Sequence, residues 1–287
     1  MEDKLWTILD VVKWTTEYFE LKGIESPRLN IELMICQVLG ISRVDIYTNF
    51  DKPLSVTERE IIRNMIIKRN ERMPLQYILG NTNFLGYEFF VNDSVMIPRP
   101  ETEQMVKMIL DDIGDKKSPL DILDIGTGSG CIALSLAKKL IFSKVLAIDS
   151  SFFALFTAKN NASHLTVKNI IFNECDILTE MPTKLKFDIV VSNPPYIPLA
   201  EYEKLEVEVK NYEPRTALTD GKEGLIFYKR YAEILPELLK RNGRFYFEFG
   251  FGQKDEIYKI FHEKGYKIEF FDDFNKIPRV IKGWKTD

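Results

Sequence analysis

The stretch Leu120-Asp121-Ile122-Leu123-Asp124-Ile125-Gly126-Thr127-Gly128-Ser129-Gly130 decides the fold. Its first six residues are apolar except for two aspartates and read as a buried strand. Three glycines at alternate positions then form a tight turn, and Ile132, Leu134, Leu136 and Ala137 begin a helical pattern. A strand, a glycine turn and a helix in succession let a ligand approach the backbone and meet a helix N-terminus. The spacing is not the dinucleotide fingerprint G-x-G-x-x-G, because the third glycine falls one residue early and position 131 is Cys131. A second strand over 144–148 runs into Asp149. An acidic residue about 20 positions beyond such glycines typically accepts hydrogen bonds from ribose hydroxyls.

Further along, the apolar run 187–192 leads straight into Asn193-Pro194-Pro195-Tyr196. Two consecutive prolines lack the ladder N–H and cannot extend a central strand, so the chain must leave the sheet there with a stiff backbone. In open α/β sheets, ligands bind outside the carboxyl ends of the strands. This exit offers a carboxamide, a bare carbonyl and an aromatic ring at such an end. The Asn193 side-chain oxygen and the Pro194 carbonyl each accept one hydrogen of a planar NH2 group, and the Tyr196 ring is expected to cover its flat face. In order, the glycine turn, Asp149 and the Asn-Pro-Pro-Tyr run resemble class I methyltransferases that use S-adenosylmethionine, in particular those that methylate planar amino groups.

Composition agrees with a folded enzyme. Hydrophobic residues make up 45% of the chain, enough for real cores at 287 residues, so a catalytic domain plus a smaller accessory domain is expected. Lys plus Arg number 39 against 43 Asp plus Glu, a net charge of −4, which argues against a protein that grips long nucleic acid. Cys36, Cys131 and Cys175 lie far apart without ligand spacing and read as reduced, buried small hydrophobes, and no metal is expected. Met1-Glu2-Asp3-Lys4 reads as the acidic opening of an amphipathic helix, not as a targeting sequence, and no apolar run approaches membrane-spanning length.

The first 72 residues read as a helical bundle. Leu5, Ile8, Leu9, Val12 and Phe19 recur at helical spacing. Ser26 is expected to N-cap a second helix with Pro27 at its first position and Gly40 past its end. Ser42 is expected to cap a short third helix, and Ser55-Val56-Thr57-Glu58 reads as a capping box. The bundle is either a structural cap or a docking surface for a macromolecular substrate, and docking is the expectation. Residues 83–91 read as a β-hairpin turning near Gly86 and bridging two domains. Ile97-Pro98-Arg99-Pro100-Glu101-Thr102-Glu103 reads as a stiff loop into a helix, either simply capped by its acidic residues or closing over a cofactor.

Taken together, Pro74 to Gly80, the aromatic hairpin, Ile97 to Glu103, Asp124 to Gly130, Ser192 to Ile197 and Tyr212-Glu213-Pro214 occur in one order. That order resembles the HemK/PrmC family, the N5-glutamine methyltransferases of peptide chain release factors, over nearly the full length. The Asn-Pro-Pro-Tyr run alone is shared with nucleic-acid amino methyltransferases. The Ile-Pro-Arg-Pro-Glu-Thr-Glu element and the N-terminal helices carry the distinction.

The resemblance implies an α/β fold: a class I, Rossmann-like methyltransferase domain over 99–287, a helical substrate-docking domain over 1–80 and a hairpin linker over 81–98. It implies S-adenosylmethionine as cofactor, with Gly126, Thr127, Gly128, Ser129 and Gly130 lining it, Asp149 on its ribose and Ile177 packing near its adenine, with Asn193 alongside. It implies that Asn193, Pro194, Pro195 and Tyr196 hold the substrate glutamine of a Gly-Gly-Gln loop, with Asn193, Pro194 and Tyr196 catalytic. The partner is then a class I release factor, with no membrane and no stable nucleic-acid binding, and the protein is expected to be a cytoplasmic monomer. One departure lies in Phe274-Asn275-Lys276-Ile277-Pro278-Arg279, where the family often has a glycine-rich turn with an Asp-Arg pair.

An amide nitrogen is a poor nucleophile, so the demand on such an enzyme is alignment, and no strong base is needed. His164 and His262, the two histidines, lie near no motif and read as structural or surface residues. The remaining pattern reads as helices over 151–161, 224–240 (interrupted at Pro236) and 252–264, and strands over 244–249, 267–271 and 279–282, the last two antiparallel. The long loop over 199–224 is either a solvated excursion or a substrate contact. The alternatives are a nucleic-acid amino methyltransferase acting on adenine N6 or guanine N2, a nicotinamide-dependent oxidoreductase and a non-enzymatic adaptor.

Overall fold

The computed structural model describes residues 5–114 and 118–285, and the chain divides into two compact units, Met1–Gly80 and Asn81–Asp287. The helix opening read at Met1-Glu2-Asp3-Lys4 lies outside the described residues.

The smaller unit contains α1 (Ile8–Leu21), α2 (Pro27–Leu39), α3 (Arg43–Thr48), α4 (Val56–Asn70) and α5 (Leu75–Leu79). Reciprocal capping boxes begin three of them, at Thr7 with Asp10, Ser42 with Asp45 and Ser55 with Glu58. Each satisfies two backbone donors that a helix start leaves orphaned. Leu5 lies ahead of α1 and is exposed, so the helix starts later than its spacing suggests. Ser26 occupies the N-cap position but makes no side-chain cap bond, because its backbone is left-handed at φ 48°. Pro27 at the first position removes one orphan donor, so less is lost there. Ile8, Phe19, Ile31, Met34, Ile35 and Ile62 form the centre of this unit's core.

The larger unit opens with a hairpin, β1 (Asn81–Phe84) and β2 (Tyr87–Phe90), and continues with α6 (Pro100–Ile113), β3 (Asp121–Ile125), α7 (Cys131–Lys139), β4 (Lys144–Asp149), α8 (Phe152–His164), β5 (Ile170–Glu174) and β6 (Phe187–Ser192). It ends with α9 (Leu199–Tyr202), α10 (Val207–Tyr212), α11 (Arg215–Leu218), α12 (Ile226–Leu238), β7 (Leu239–Glu248), α13 (Lys254–His262), β8 (Tyr266–Asp272) and β9 (Pro278–Lys285). The seven-stranded sheet has the order β5-β4-β3-β6-β7-β9-β8, and β9 is antiparallel to both of its neighbours.

The central strands are buried on both faces, and their alternation sorts side chains between two cores. Ile122 packs with Val106 and Ile109 of α6 and Leu134 of α7, whereas Leu123 and Ile125 pack with Tyr231 and Leu235 of α12. Each fully buried aliphatic chain of this kind contributes about 1.5–3 kcal/mol.

Two expectations change. The hairpin is not a linker of its own: Phe84 and Phe89 are buried in the larger unit's core beside Met105 and Ile109. The segment 199–224 is not an unstructured loop but carries α9, α10 and α11. The Asp220 carboxylate pins its end, accepting from the backbone N–H groups of Lys222, Gly224 and Ile226 at 2.8, 2.9 and 3.0 Å.

Candidate active site

The sheet changes winding direction between β3 and β6, the place where such sheets open a crevice. A cleft of about 870 Å³ lies there, lined by Gly126, Thr127, Gly128, Ser129, Asp149, Ile177, Asn193, Pro194 and Pro195 among others. The four chain segments singled out in the sequence thus converge on one cavity. Gly130 and Tyr196 are not among its lining residues.

The glycine turn is held from beneath. The backbone N–H groups of Gly126 and Thr127 both donate to the Ile148 carbonyl at 2.9 Å, and the Thr127 hydroxyl donates to Asp124 Oδ2 at 2.7 Å. Asp124 is fully buried, and burial pushes its carboxyl up to about 7 against the Thr127 hydrogen bond. Gly130 sits at the N-cap of α7 with φ 82°, where an added Cβ would lie 2.9 Å from Leu134 Cδ1 and 3.2 Å from the Ala158 Cβ. The missing side chain thus leaves room for α7 to pack closely against α8. Asn161 on α8 donates to the carbonyls of Ser129 and Phe90 at 2.8 and 3.0 Å and accepts from the Phe90 N–H at 2.7 Å. That one carboxamide ties the hairpin to the glycine turn.

Asp149 presents its carboxylate at the end of β4. Oδ2 accepts from the Gly128 N–H and Oδ1 from the Ser151 N–H, both at 2.9 Å. Burial raises its pKa against these bonds. Ile177 is buried and lines the cleft, and its carbonyl accepts from Arg230 Nε at 2.8 Å.

At the end of β6, the Ser192 hydroxyl donates to the Ile125 carbonyl at 2.7 Å and fixes the strand exit beside the glycine turn. Asn193 Nδ2 donates to Thr102 Oγ1 at 3.1 Å, and the Thr102 hydroxyl donates to Glu248 Oε2 at 2.6 Å. The Tyr196 hydroxyl donates to the other oxygen, Glu248 Oε1, at 3.2 Å. Glu248 is 1% exposed, and burial pushes its carboxyl up to about 7.

Tyr196, half-buried, is anchored through its polar groups. Its hydroxyl turns to Glu248, its carbonyl accepts from Gln253 Nε2 at 2.9 Å, and the missing side chain of Gly224 makes room: a Cβ there would lie 2.0 Å from that carbonyl. Burial drives the tyrosine pKa far above its ordinary value, so it is a donor throughout the working range.

Thr102, Glu248, Asn161 and Gln253 were not legible as site residues from spacing. Thr102 lies within Ile97 to Glu103, where the acidic neighbours Glu101 and Glu103 carry the helix-start signal and a threonine carries none of its own. Glu248 closes the apolar run Phe245-Tyr246-Phe247, and a carboxylate at the end of such a strand is the signal that could have found it. Glu103, read as a helix-terminus acid, accepts from the Leu85 N–H at 2.8 Å and holds the hairpin turn.

The lining fits S-adenosylmethionine. It offers the Asp149 carboxylate for vicinal hydroxyls, a glycine turn for close backbone approach, and apolar Ile177, Cys175 and Ala154 for a flat base. Among the described lining residues none is Lys, Arg or His, while Asp93, Asp149, Asp176 and Asp220 are acidic. The acidic lining suits a cationic sulfonium, and the early third glycine departs from the dinucleotide fingerprint, which counts against a nicotinamide dinucleotide.

Fold and cleft together define a class I methyltransferase dependent on S-adenosylmethionine. A model of the PrmC N-terminal domain matches residues 10–80, and one described as a methyltransferase domain matches residues 116–265. Among curated proteins, the release factor glutamine methyltransferase of Geobacter sulfurreducens is 41% identical, covering 98% of this chain and 97% of that protein. Those of Chlorobaculum tepidum and Bacillus subtilis are each 38% identical over 98% and 96% of this chain. Among solved structures, a methyltransferase from Pyrococcus furiosus aligns with a TM-score of 0.54 at 16% identity, covering 82% of this chain and all of that one, and so bears on the fold alone. The chain belongs to the release factor glutamine methyltransferase family.

Proposed function

We propose that this protein transfers a methyl group from S-adenosylmethionine to the side-chain amide nitrogen (N5) of the glutamine in the Gly-Gly-Gln loop of class I peptide chain release factors. The observation that carries the reading is the Asn193 carboxamide, held by its nitrogen to Thr102 at the cleft wall beside the Pro194 carbonyl. With Nδ2 committed, Oδ1 is the end left to accept a hydrogen bond.

Gly126 to Ser129, Asp149 and Ile177 hold the cofactor, which when bound supplies an electrophilic methyl group. Asn193 Oδ1 and the Pro194 carbonyl accept the two hydrogens of the substrate amide. Their shared grip fixes the plane of that amide and aims the nitrogen along one direction. Orientation of this kind contributes up to about 7–11 kcal/mol in favourable cases. Both acceptors also stabilise positive charge as it develops on nitrogen. Tyr196 supports the grip from behind through Glu248, and Pro195 stiffens the backbone between them. The proton released by the nitrogen leaves to solvent.

The Met1–Gly80 unit serves as the docking domain for the release factor. Among the described residues no helix is long and apolar enough to cross a membrane. We read the protein as a cytoplasmic monomer without stable nucleic-acid binding, in keeping with its net charge of −4. The alternative of a nucleobase amino methyltransferase gains nothing from the full-length relatives.

The deciding experiment incubates the protein with methyl-labelled cofactor and a purified release factor, beside a copy whose loop glutamine is replaced. One added methyl on that glutamine by peptide mass spectrometry, absent from the replaced copy, supports the reading. Transfer to RNA or DNA instead of the factor would overturn it.

A further inference from the structure

We infer that Thr102 and Glu248 are positioning residues that select which way round the Asn193 carboxamide points. The inference rests on the role proposed for Asn193 above. A carboxamide presents an acceptor at one end and a donor at the other, and the two are nearly the same shape, so packing alone does not choose between them. A hydroxyl has one proton. Thr102 spends it on Glu248 Oε2 at 2.6 Å, so toward Asn193, 3.1 Å away, it has only a lone pair to offer. Only the nitrogen end of Asn193 satisfies that lone pair, which leaves Oδ1 for the substrate amide. The Tyr196 hydroxyl at Glu248 Oε1 occupies the other carboxylate oxygen and so favours the same polarity.

The chain of bonds reverses if Glu248 carries a proton. A protonated carboxyl donates to Thr102 Oγ1, Thr102 then donates to Asn193 Oδ1, and the amide nitrogen is turned toward the substrate. Two N–H groups facing each other cannot bond, so this form is inactive. The groups around Glu248 are Thr102 and Glu101 from α6, Tyr196 from the strand exit, Tyr228 from α12, whose hydroxyl donates to the Glu248 carbonyl at 2.7 Å, Arg279 from β9 and Cys131 from α7. Burial holds the Glu248 carboxyl at about 7 despite the Thr102 and Tyr196 hydrogen bonds, which places the reversal within reach of ordinary assay conditions.

The test compares Thr102→Val, Thr102→Ser, Glu248→Gln and Asn193→Ala in steady-state methyl transfer to the release factor from pH 5.5 to 8.5. Thr102→Val keeps the shape of the side chain and deletes the hydroxyl. It is expected to lower kcat about 10²-fold with the KM for S-adenosylmethionine unchanged, a loss typical of a misplaced reacting group. Thr102→Ser keeps the hydroxyl and is expected to restore kcat to within a few-fold of the parent. In the parent, kcat is expected to rise with pH through about 7, and Glu248→Gln is expected to lose that limb. Full kcat in Thr102→Val, or an unchanged low-pH limb in Glu248→Gln, overturns the inference. Asn193→Ala separates the two levels. If it is inactive while Thr102→Val is fully active, the positioning inference alone fails; if it is fully active, the role of Asn193 fails and this inference with it.

Discussion

Arg99 and Glu213 form an ion pair that joins two sequence-distant segments of the larger unit. Glu213 is buried, one oxygen accepts from the Arg99 guanidinium, and the other accepts from the Ile97 N–H at 3.3 Å. The stiff loop ahead of α6 is thereby clipped to the end of α10, and residues from both sides, Pro98 and Pro214, line the cleft. Burial raises the Glu213 pKa, and Arg99 opposes that rise.

Removing the cation while leaving the carboxylate should therefore be costly. Arg99→Met is expected to lower stability by about 3–5 kcal/mol at pH 8, the usual result of stranding a buried charge. The deficit should shrink at pH 5.5, where a stranded Glu213 can take up a proton. Urea unfolding at the two pH values checks this, and equal deficits at both would show that the pair's charge is not what matters.

Asn193→Ala removes one of the two proposed acceptors for the substrate amide. The expected result is a turnover loss of about 10²–10³ with little change in cofactor affinity. Rate assays with calorimetric titration of S-adenosylmethionine check both halves; near-parental turnover would remove Asn193 from the machinery.

Asp149→Ala acts on the other partner. It deletes a charged acceptor expected to face the ribose hydroxyls and also frees the Gly128 and Ser151 N–H groups. Cofactor affinity should fall roughly 10-fold or more, since hydrogen bonds to charged groups contribute about 1.5–3 kcal/mol. Calorimetry that finds the affinity unchanged would reject the assignment.

Stability should decline with rising pH in the same window where activity rises. Glu248 and Asp124 are raised from ordinary values of 4.5 and 3.8 to about 7 by burial. Between those limits the folded chain holds protons that the unfolded chain releases. The stabilisation from these groups is full below the ordinary values and is lost as pH rises through about 7. Asp149 and Glu213, also raised, act in the same direction. The Tm is expected to fall from pH 5.5 to 8, and to fall less in Glu248→Gln. Parallel Tm curves for the two proteins would contradict the raised Glu248.

Much of this was legible because it depends on local chemistry. Strand, glycine turn and helix over 120–137 follow from hydrophobic period and from the backbone freedom of glycine. Asp149 and the Asn-Pro-Pro-Tyr run announce themselves by standing where buried strands end. Pro194 and Pro195 forbid sheet pairing whatever surrounds them. The capping boxes at Ser42 and Ser55 involve residues three apart, and nothing distant competes with them.

What spacing does not show lies where distant groups compete. Spacing offers Tyr196 as a ring beside the substrate amide, and it does not show that Glu248, 52 residues away in sequence, and Gln253 take its hydroxyl and carbonyl. Gly130 belongs to the glycine motif, and spacing does not show that a side chain there would run into Leu134 and into Ala158 on the next helix. The hairpin reads as a bridge between domains, but Phe84 and Phe89 are buried in a core they share with Met105 and Ile109 of α6.

The sequence by itself thus determined the glycine turn, the acidic strand end at Asp149 and the Asn-Pro-Pro exit that meet at the cleft, because periodicity, glycine and proline act on neighbours along the chain. Only the tertiary structure decided the polarity of the Asn193 carboxamide. By the inference above, that choice rests on the hydrogen bonds from Asn193 through Thr102 to Glu248, which stand at the exit of β6, in α6 and in β7, and no spacing rule links side chains that meet only after the sheet has formed.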